Sequence, residues 1–276
     1  RGKVRMGGRA SGRTLENASM QQTRTLIVTA DDFNLSDGVS RGILEAHQRG
    51  IVTETSVMVN MGDLRRGSDL LGEAPQLGVG LHLNLTRGQP LTPQAAVGAL
   101  LGNDGLFRGS PRALPSPIPL ASVQAEFQAQ LEAFVQAFGG LPGHLDTHHH
   151  IHQNPVVLEA LLELAAPLRL PVRGLDPSMR AAIRARGLWT PEHFLGDVGE
   201  APYWTASHLV ATLRALQPGP TELMCHPGYF DAAIAYSSYG PQRDGEREAL
   251  CDPAVAAVVG EMGVQLVSYA AARQGI

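Results

Sequence analysis

Short apolar segments rich in β-branched residues alternate with helical segments along most of this chain. The first of them, residues 25–30 (TLIVTA), has the composition of a strand that is buried on both faces of a sheet. This alternation predicts parallel strands joined by helices. Because about seven strands are expected, the predicted fold class is α/β, in the form of a distorted (β/α) barrel with mainly parallel strands.

The expected elements can be placed along the chain from their periodicity and their flanking turn residues. Strands are predicted at residues 25–30, 51–59, 77–85, 144–146, 170–172, 223–225 and 264–269. Helices are predicted at residues 36–50, 64–71, 121–138, 155–165, 206–216 and 253–262. Residues 87–120 are rich in Gly and Pro, and a connection of that length predicts a flap on the substrate side.

Residues 1–22 form a polar stretch, rich in Arg and Gly, that has no apolar period. We expect it to be a disordered leader or the remnant of a tag, and we expect residues 23–276 to form a single (β/α) barrel domain. The sequence has two cysteines, Cys225 and Cys251, and no apolar run of the roughly 18 residues that a membrane span needs. We therefore expect a reducing, cytoplasmic location and no membrane partner.

Charge is distributed unevenly along the chain. Six of the 22 basic residues lie among the first 24 positions, and the remainder carries 16 basic against 25 acidic residues. A body with this negative charge binds nucleic acid poorly, so no nucleic-acid partner is expected. Lys3 is the only lysine, which excludes a P-loop lysine or a Schiff-base lysine from the folded part.

Titratable side chains recur where four of the predicted strands end. The first strand runs into Asp31 and Asp32, the third carries His82, and later strands run into residues 146–152 (DTHHHIH) and into His226. In parallel α/β folds the carboxyl ends of the strands open onto one face, where active sites are built. We therefore expect these side chains to meet in one site.

Four histidines within five residues, His148, His149, His150 and His152, are rare outside metal sites. One aspartate and two histidines form a set that holds a divalent ion and leaves positions open for water and substrate. Of two adjacent aspartates, one can bind the ion while the other acts as a base. The pattern therefore predicts metal-assisted hydrolysis of an amide or ester, with covalent catalysis as the weaker hypothesis.

Five stretches of the sequence carry a resemblance to a known family. They are Thr29-Ala30-Asp31-Asp32-Phe33, Gly50-Ile51-Val52-Thr53, Gly80-Leu81-His82-Leu83-Asn84-Leu85-Thr86, His144-Leu145-Asp146-Thr147-His148-His149-His150-Ile151-His152 and Cys225-His226-Pro227-Gly228. On these stretches the sequence resembles the YdjC-like carbohydrate deacetylase family, which includes chitooligosaccharide deacetylases and hopanoid-associated relatives. The resemblance implies a distorted (β/α) barrel, a divalent metal ion and removal of the acetyl group from an N-acetylated sugar.

The resemblance also implies roles for individual residues. Asp32, His82 and His148 match the metal ligands of the family. Asp31 matches the catalytic base that activates water, and His226 is the candidate acid that protonates the departing amine.

Four further residues are expected to contact or order the substrate, namely Asn84, His152, Tyr229 and Arg243. His152 is also the second choice as a metal ligand, because on a helical turn it would face the same way as His148. In an extended segment His148, His150 and His152 would share a face instead. Where the family usually has Gly after Asp-Asp-Phe, this chain has Asn34; Asn tolerates a left-handed backbone, so the turn is expected to persist, with an added side chain that could alter the shape of the substrate site.

The leading hypothesis is therefore a metal-dependent carbohydrate deacetylase that acts on an N-acetylated amino sugar or oligosaccharide. Two alternatives stay open: a metal-dependent esterase or phosphoesterase that uses the same residues, and a non-catalytic, metal-stabilised sugar-binding protein. One divalent ion is expected, Mg²⁺ first because of the resemblance and Zn²⁺ second because imidazole ligands suit it better. A homodimer is the expected assembly.

Overall fold

A computed structural model describes residues 23–275 together with Gly2. The prediction of a leader at residues 1–22 lies outside the described residues, apart from Gly2. Within the described part, seven strands form one sheet: β1 (Arg24–Phe33), β2 (Glu54–Val57), β3 (Gly78–Leu83), β4 (Leu145–Thr147), β5 (His193–Leu195), β6 (Gly219–Cys225) and β7 (Gln265–Leu266). All of the pairs between these strands are parallel.

The sheet is a curled half-barrel with strand order β4-β3-β2-β1-β6-β5, and β7 also pairs with β1. The ten-residue β1 is central because it pairs with three neighbours: β6 along one side, and β7 and then β2 along the other. The predicted α/β fold, a distorted barrel of mainly parallel strands, is thereby confirmed.

Helices follow most of the strands and cover the sheet. Their bounds are α1 (Asp37–Arg49), α2 (Leu64–Gly72), α3 (Gln94–Val97), α4 (Leu120–Phe138), α5 (Pro155–Ala165), α6 (Pro177–Ala185), α7 (Ala206–Arg214), α8 (Gln242–Leu250), α9 (Pro253–Glu261) and α10 (Tyr269–Gln274). Side chains cap several of them; at the start of α1, for example, the Ser36 hydroxyl accepts a hydrogen bond of 3.2 Å from the Val39 amide. Among the described residues, no helix combines the length and the apolar composition that crossing a membrane requires.

Strand β1 is buried on both faces, as its composition predicts. Leu26 and Val28 pack into the main apolar core. Ile27 points the other way and packs with Val267 and Tyr269 in a smaller cluster. Alternate side chains of a strand face opposite sides of the sheet, so both sides of β1 are covered by apolar groups.

The predicted strand at residues 170–172 is wrong. Val172 forms only an isolated parallel bridge with Leu145, and Pro171 has no N–H with which to extend a ladder. The strand predicted at residues 264–269 is shortened to β7, because Ser268 caps α10 by accepting a hydrogen bond from the Ala271 amide. Sequence patterns missed β5, whose three residues are too few to show alternation, and also α6, α8 and α10.

The Gly- and Pro-rich segment 87–120 is ordered against the half-barrel. It contains α3 and two short 3₁₀ helices, Gly98–Leu100 and Pro111–Ala113. Phe107 is buried in the main core, and the Glu126 carboxylate of α4 accepts hydrogen bonds from two backbone amides of the segment. The segment is therefore packed onto the half-barrel.

Candidate active site

The register of the sheet brings the predicted strand-end residues together. In the β1–β6 pair Ala30 lies opposite Cys225, so Asp31 near the end of β1 and His226 just after β6 lie at the same level of the sheet. In the β3–β4 pair His82 lies opposite Asp146. The carboxyl ends of these four strands therefore meet around one volume, as expected for parallel strands.

A cavity of about 320 Å³ occupies that volume. Six of the nine predicted site residues line it: Asp31, Asp32, His82, His148, His226 and Arg243. The prediction that these side chains share one site is thus matched by the geometry.

Asp32, His82 and His148 form a cluster that could hold a metal ion. One ligand atom from each lies within 4.8 Å of the others. The Asp32 Oδ1 atom lies 2.9 Å from His148 Nδ1 and 3.3 Å from His82 Nε2. All three side chains are buried, and Asp32 has a left-handed backbone (φ 72°) of the strained kind found at functional sites. One carboxylate and two imidazoles are a donor set that fits a divalent ion.

The His82 ring is oriented by a carboxylate behind it. Its Nδ1 atom lies 2.8 Å from Asp146 Oδ1, which leaves Nε2 to face Asp32. Histidines that bind metals usually have such an outer carboxylate partner. Burial disfavours the charged ring, but Asp146 and Asp31 outweigh it and raise the pKa of His82 to about 10. An ion that binds at Nε2 must displace a proton from this ring, so its binding would release a proton and weaken at low pH.

Asp31 is held by a buried arginine. Arg173 donates two hydrogen bonds of 2.7 Å, one to each oxygen of the Asp31 carboxylate. The same guanidinium contacts Glu222 Oε1 at 2.9 Å and Asp146 Oδ2 at 2.9 Å. A bidentate guanidinium–carboxylate pair fixes both the position and the orientation of the carboxylate.

Arg173 is a site residue that our sequence predictions missed. Arg173 directly follows residues 170–172, which were predicted as a strand. It could have been found in the same way as the other site residues, as a titratable side chain just after a short apolar segment. Its partner Glu222 lies within β6 and is fully buried. A charged residue inside an apolar strand was the second signal that could have been used.

Replacing Arg173 with Met is expected to destabilise the fold by about 3–5 kcal/mol, because three buried carboxylates would lose their shared cation. Urea unfolding followed by circular dichroism measures the change. Arg186→Met is the matched control, since Arg186 pairs with Glu159 at the surface and surface pairs contribute little. Equal stability losses in the two variants would contradict the account.

His226 and Arg243 complete the lining around Asp32. The His226 amide donates a 2.6 Å hydrogen bond to Glu246, and burial lowers the pKa of its imidazole to about 4. Among the described residues, the His226 Nδ1 atom has no hydrogen-bond partner. Arg243 Nη2 donates a 2.5 Å hydrogen bond to Asp32 Oδ2. Burial works against the charged carboxylate, but Arg243 and His148 hold the pKa of Asp32 well below its usual range.

Three predicted substrate contacts do not line the cavity. Asn84 is buried, and its side chain binds the backbone of residues 86 and 87. The buried His152 ring places Nδ1 2.6 Å from Thr147 Oγ1. The Tyr229 hydroxyl donates a hydrogen bond to Glu45, outside the cavity. The geometry therefore favours His148 over His152 as the ligand, and it gives Asn84 and Tyr229 other partners than a substrate.

The histidine segment follows neither of the two regular spacings considered for it. His149 and His150 both have left-handed backbones, with φ of 58° and 51°. These two residues turn the chain between His148 and His152, so neither the helical nor the extended spacing applies. Both rings line the cavity, which the sequence predictions did not anticipate.

Asn34 adopts the left-handed conformation that the sequence predicts for it (φ 71°). Its side-chain amide donates hydrogen bonds to the carbonyl oxygens of Met58 at 3.1 Å and Met61 at 2.7 Å. Asn34 is not among the residues that line the cavity. The expected influence of Asn34 on the shape of the substrate site is therefore not supported.

Residues 38–42 (GVSRG) have the spacing of a serine-hydrolase nucleophile motif. The motif lies inside α1 and not on a strand-to-helix turn. The Ser40 hydroxyl is buried, donates to the Ser36 carbonyl at 3.0 Å and accepts from the Asn34 amide at 3.0 Å. Ser40 is therefore a structural residue, and covalent serine catalysis gains no support from this motif.

Fold and site together define a class: a parallel α/β half-barrel whose strand ends carry an Asp–His–His set beside a second carboxylate paired with arginine. The chain belongs to the family of YdjC-like proteins, whose sequence model matches residues 25–261.

Named relatives agree with this membership. A carbohydrate deacetylase of Geobacillus stearothermophilus is 38% identical over 248 residues, which cover 89% of this chain and 97% of that protein. A chitooligosaccharide deacetylase of Proteus mirabilis is 35% identical over 249 residues, covering 88% and 97%. Among solved structures, a candidate cellobiose-phosphate cleavage protein of Enterococcus faecalis V583 has a TM-score of 0.82 at 28% identity, covering 90% of this chain and 98% of the other.

Proposed function

We propose that this chain is a metal-dependent carbohydrate deacetylase, a hydrolase that removes the acetyl group from an N-acetylated amino sugar. The observation that supports it most is one cavity that holds both an Asp–His–His set and a second carboxylate, Asp31, paired with Arg173. The relatives add the class of substrate, because they are carbohydrate and chitooligosaccharide deacetylases.

Asp32, His82 and His148 would hold one divalent ion. An ion bound there supplies Lewis-acid chemistry, since it polarises an acyl carbonyl and makes water more acidic. We propose Mg²⁺ as the first choice, in line with the family resemblance, and Zn²⁺ as the second, because imidazole ligands favour it. Reconstitution with each ion in turn separates these two choices.

Asp31 is the proposed general base. Arg173 fixes both of its carboxylate oxygens, and the Ser56 hydroxyl contacts Oδ1 at 3.3 Å. A carboxylate held at the cavity wall in this way can take the proton of the water that attacks the acyl carbon. General-base catalysis of this kind typically contributes about 10²–10⁴ in rate.

His226 is the proposed group that returns a proton to the departing amine. With its pKa lowered to about 4 by burial, the imidazole is neutral near pH 7. Its Nδ1 atom, which has no hydrogen-bond partner among the described residues, would take up the proton that Asp31 removes from water. Passing that proton to nitrogen as the C–N bond breaks would yield acetate and a free amine.

The proposed partner is a small N-acetylated sugar or short oligosaccharide. The cavity is lined by polar and titratable groups as well as by Tyr236 and Tyr239, the mixture expected of a site for a polar ring compound. Cys225 and Cys251 are both free thiols, which supports the proposed cytoplasmic location.

Three substrates test the proposal on the metal-loaded chain: N,N′-diacetylchitobiose, p-nitrophenyl acetate and p-nitrophenyl phosphate. We expect acetate release from the disaccharide that disappears when a chelator removes the ion, and no release of phosphate. Phosphate release without acetate release would favour a phosphoesterase. Calorimetric binding of the disaccharide without any product would favour a sugar-binding protein.

A further inference from the structure

An exposed aromatic ring stands at the mouth of the cavity. Tyr236 lines the cavity together with Asp31 and Asp32, yet 51% of its surface is exposed. The carbon at the centre of the Arg87 guanidinium lies 4.9 Å from the centre of the Tyr236 ring. One face of the ring is thus supported by a cation, while about half of the residue stays open to solvent.

The main chain of Arg87 is held in place by three hydrogen bonds to asparagine side chains. Its carbonyl oxygen accepts hydrogen bonds from the side-chain amides of Asn84 at 2.8 Å and Asn60 at 2.9 Å. Its own amide donates to Asn84 Oδ1 at 3.1 Å. The buried Asn84 therefore fixes the loop that places Arg87 beneath the Tyr236 ring, which gives this asparagine an indirect part in shaping the cavity mouth.

We propose that Tyr236, supported by Arg87, is a binding platform for a sugar ring of the substrate. The inference rests on the proposed function and extends it to a residue that determines specificity. A pyranose ring presents faces of C–H groups, and the face of an aromatic ring carries partial negative charge that attracts them. A ring already ordered by a cation–π contact loses little freedom when the sugar binds.

The chain contains a matched control for this platform. Tyr229 is also stacked against an arginine, with the guanidinium carbon of Arg247 4.4 Å from its ring centre. It is also partly exposed, at 39%, but it does not line the cavity. A general effect of removing an exposed, arginine-stacked tyrosine would therefore appear in Tyr229→Ala as well as in Tyr236→Ala.

The test measures kcat and KM of the metal-loaded chain for N,N′-diacetylchitobiose. A calorimetric Kd is measured in the Asp31→Asn background, where binding is separated from turnover. Tyr236→Ala is expected to raise KM and Kd by roughly three- to ten-fold, the range of aromatic stacking pairs, while kcat changes less than KM. Tyr236→Phe keeps the ring and is expected to restore most of the binding, and Tyr229→Ala is expected to leave both constants unchanged.

A Kd that is unchanged in Tyr236→Ala would contradict the binding platform, and so would a Kd that rises equally in Tyr229→Ala. In either case, acetate release by the unaltered chain would still support the proposed function. If the unaltered chain neither binds nor hydrolyses the disaccharide, the proposed function fails first and the platform with it.

Discussion

Replacing His148 with Ala is expected to weaken binding of a divalent ion by more than 100-fold and to abolish measurable acetate release. The imidazole is one of three buried donors that meet within 4.8 Å, and loss of even an outer partner of a metal ligand costs about 10- to 100-fold in affinity. Metal content per chain after gel filtration, together with a titration of the apoprotein with Zn²⁺ and Mg²⁺, measures the effect.

His152→Gln is the matched control, because His152 is the alternative ligand in the same segment. Its ring contacts Thr147 and lies outside the cavity lining, so this variant is expected to retain one ion per chain. The opposite pattern, in which His152→Gln loses the ion and His148→Ala keeps it, would contradict the ligand set.

Replacing Asp31 with Asn is expected to lower kcat for acetate release by about 10²–10⁴-fold, the contribution of a general base. The amide is nearly the same size as the carboxylate and can still accept a hydrogen bond from Arg173, but it cannot take a proton. Asp31 also forms a group of possible ligands with His82 and Asp146, but Arg173 donates to both Asp31 oxygens, so metal content and KM are expected to change little.

Steady-state kinetics and metal content are measured on the same Asp31→Asn preparation. A kcat above one tenth of the unaltered value, with the ion in place, would show that another group acts as the base. A loss of metal equal to that in His148→Ala would instead place Asp31 among the ligands.

Much of the candidate site could be predicted because polar residues that directly follow short apolar segments mark the strand ends in the sequence. Asp31, Asp32, His82 and His226 each end or follow an apolar segment, and parallel register carries such residues to one face. The fold class could be predicted as well, because strands and helices that alternate along a chain pack in only a few arrangements.

Other features depend on backbone conformations and distant partners that no local pattern encodes. Asn84 also lies just past the end of β3, but a turn directs its amide to the backbone of the next residues and away from the cavity. His149 adopts a left-handed conformation that breaks every regular spacing. Arg87 and Tyr236 come from separate loops, and only the folded chain shows that they meet.

The central claim is tested most directly by counting products from N,N′-diacetylchitobiose. The chain is assayed after loading with Mg²⁺ or Zn²⁺, after removal of the ion with a chelator, and after reloading. We predict one acetate for each free amine formed, loss of both products on chelation and their return on reloading. A chain that holds one ion per molecule at Asp32, His82 and His148 and still forms neither product would contradict the claim.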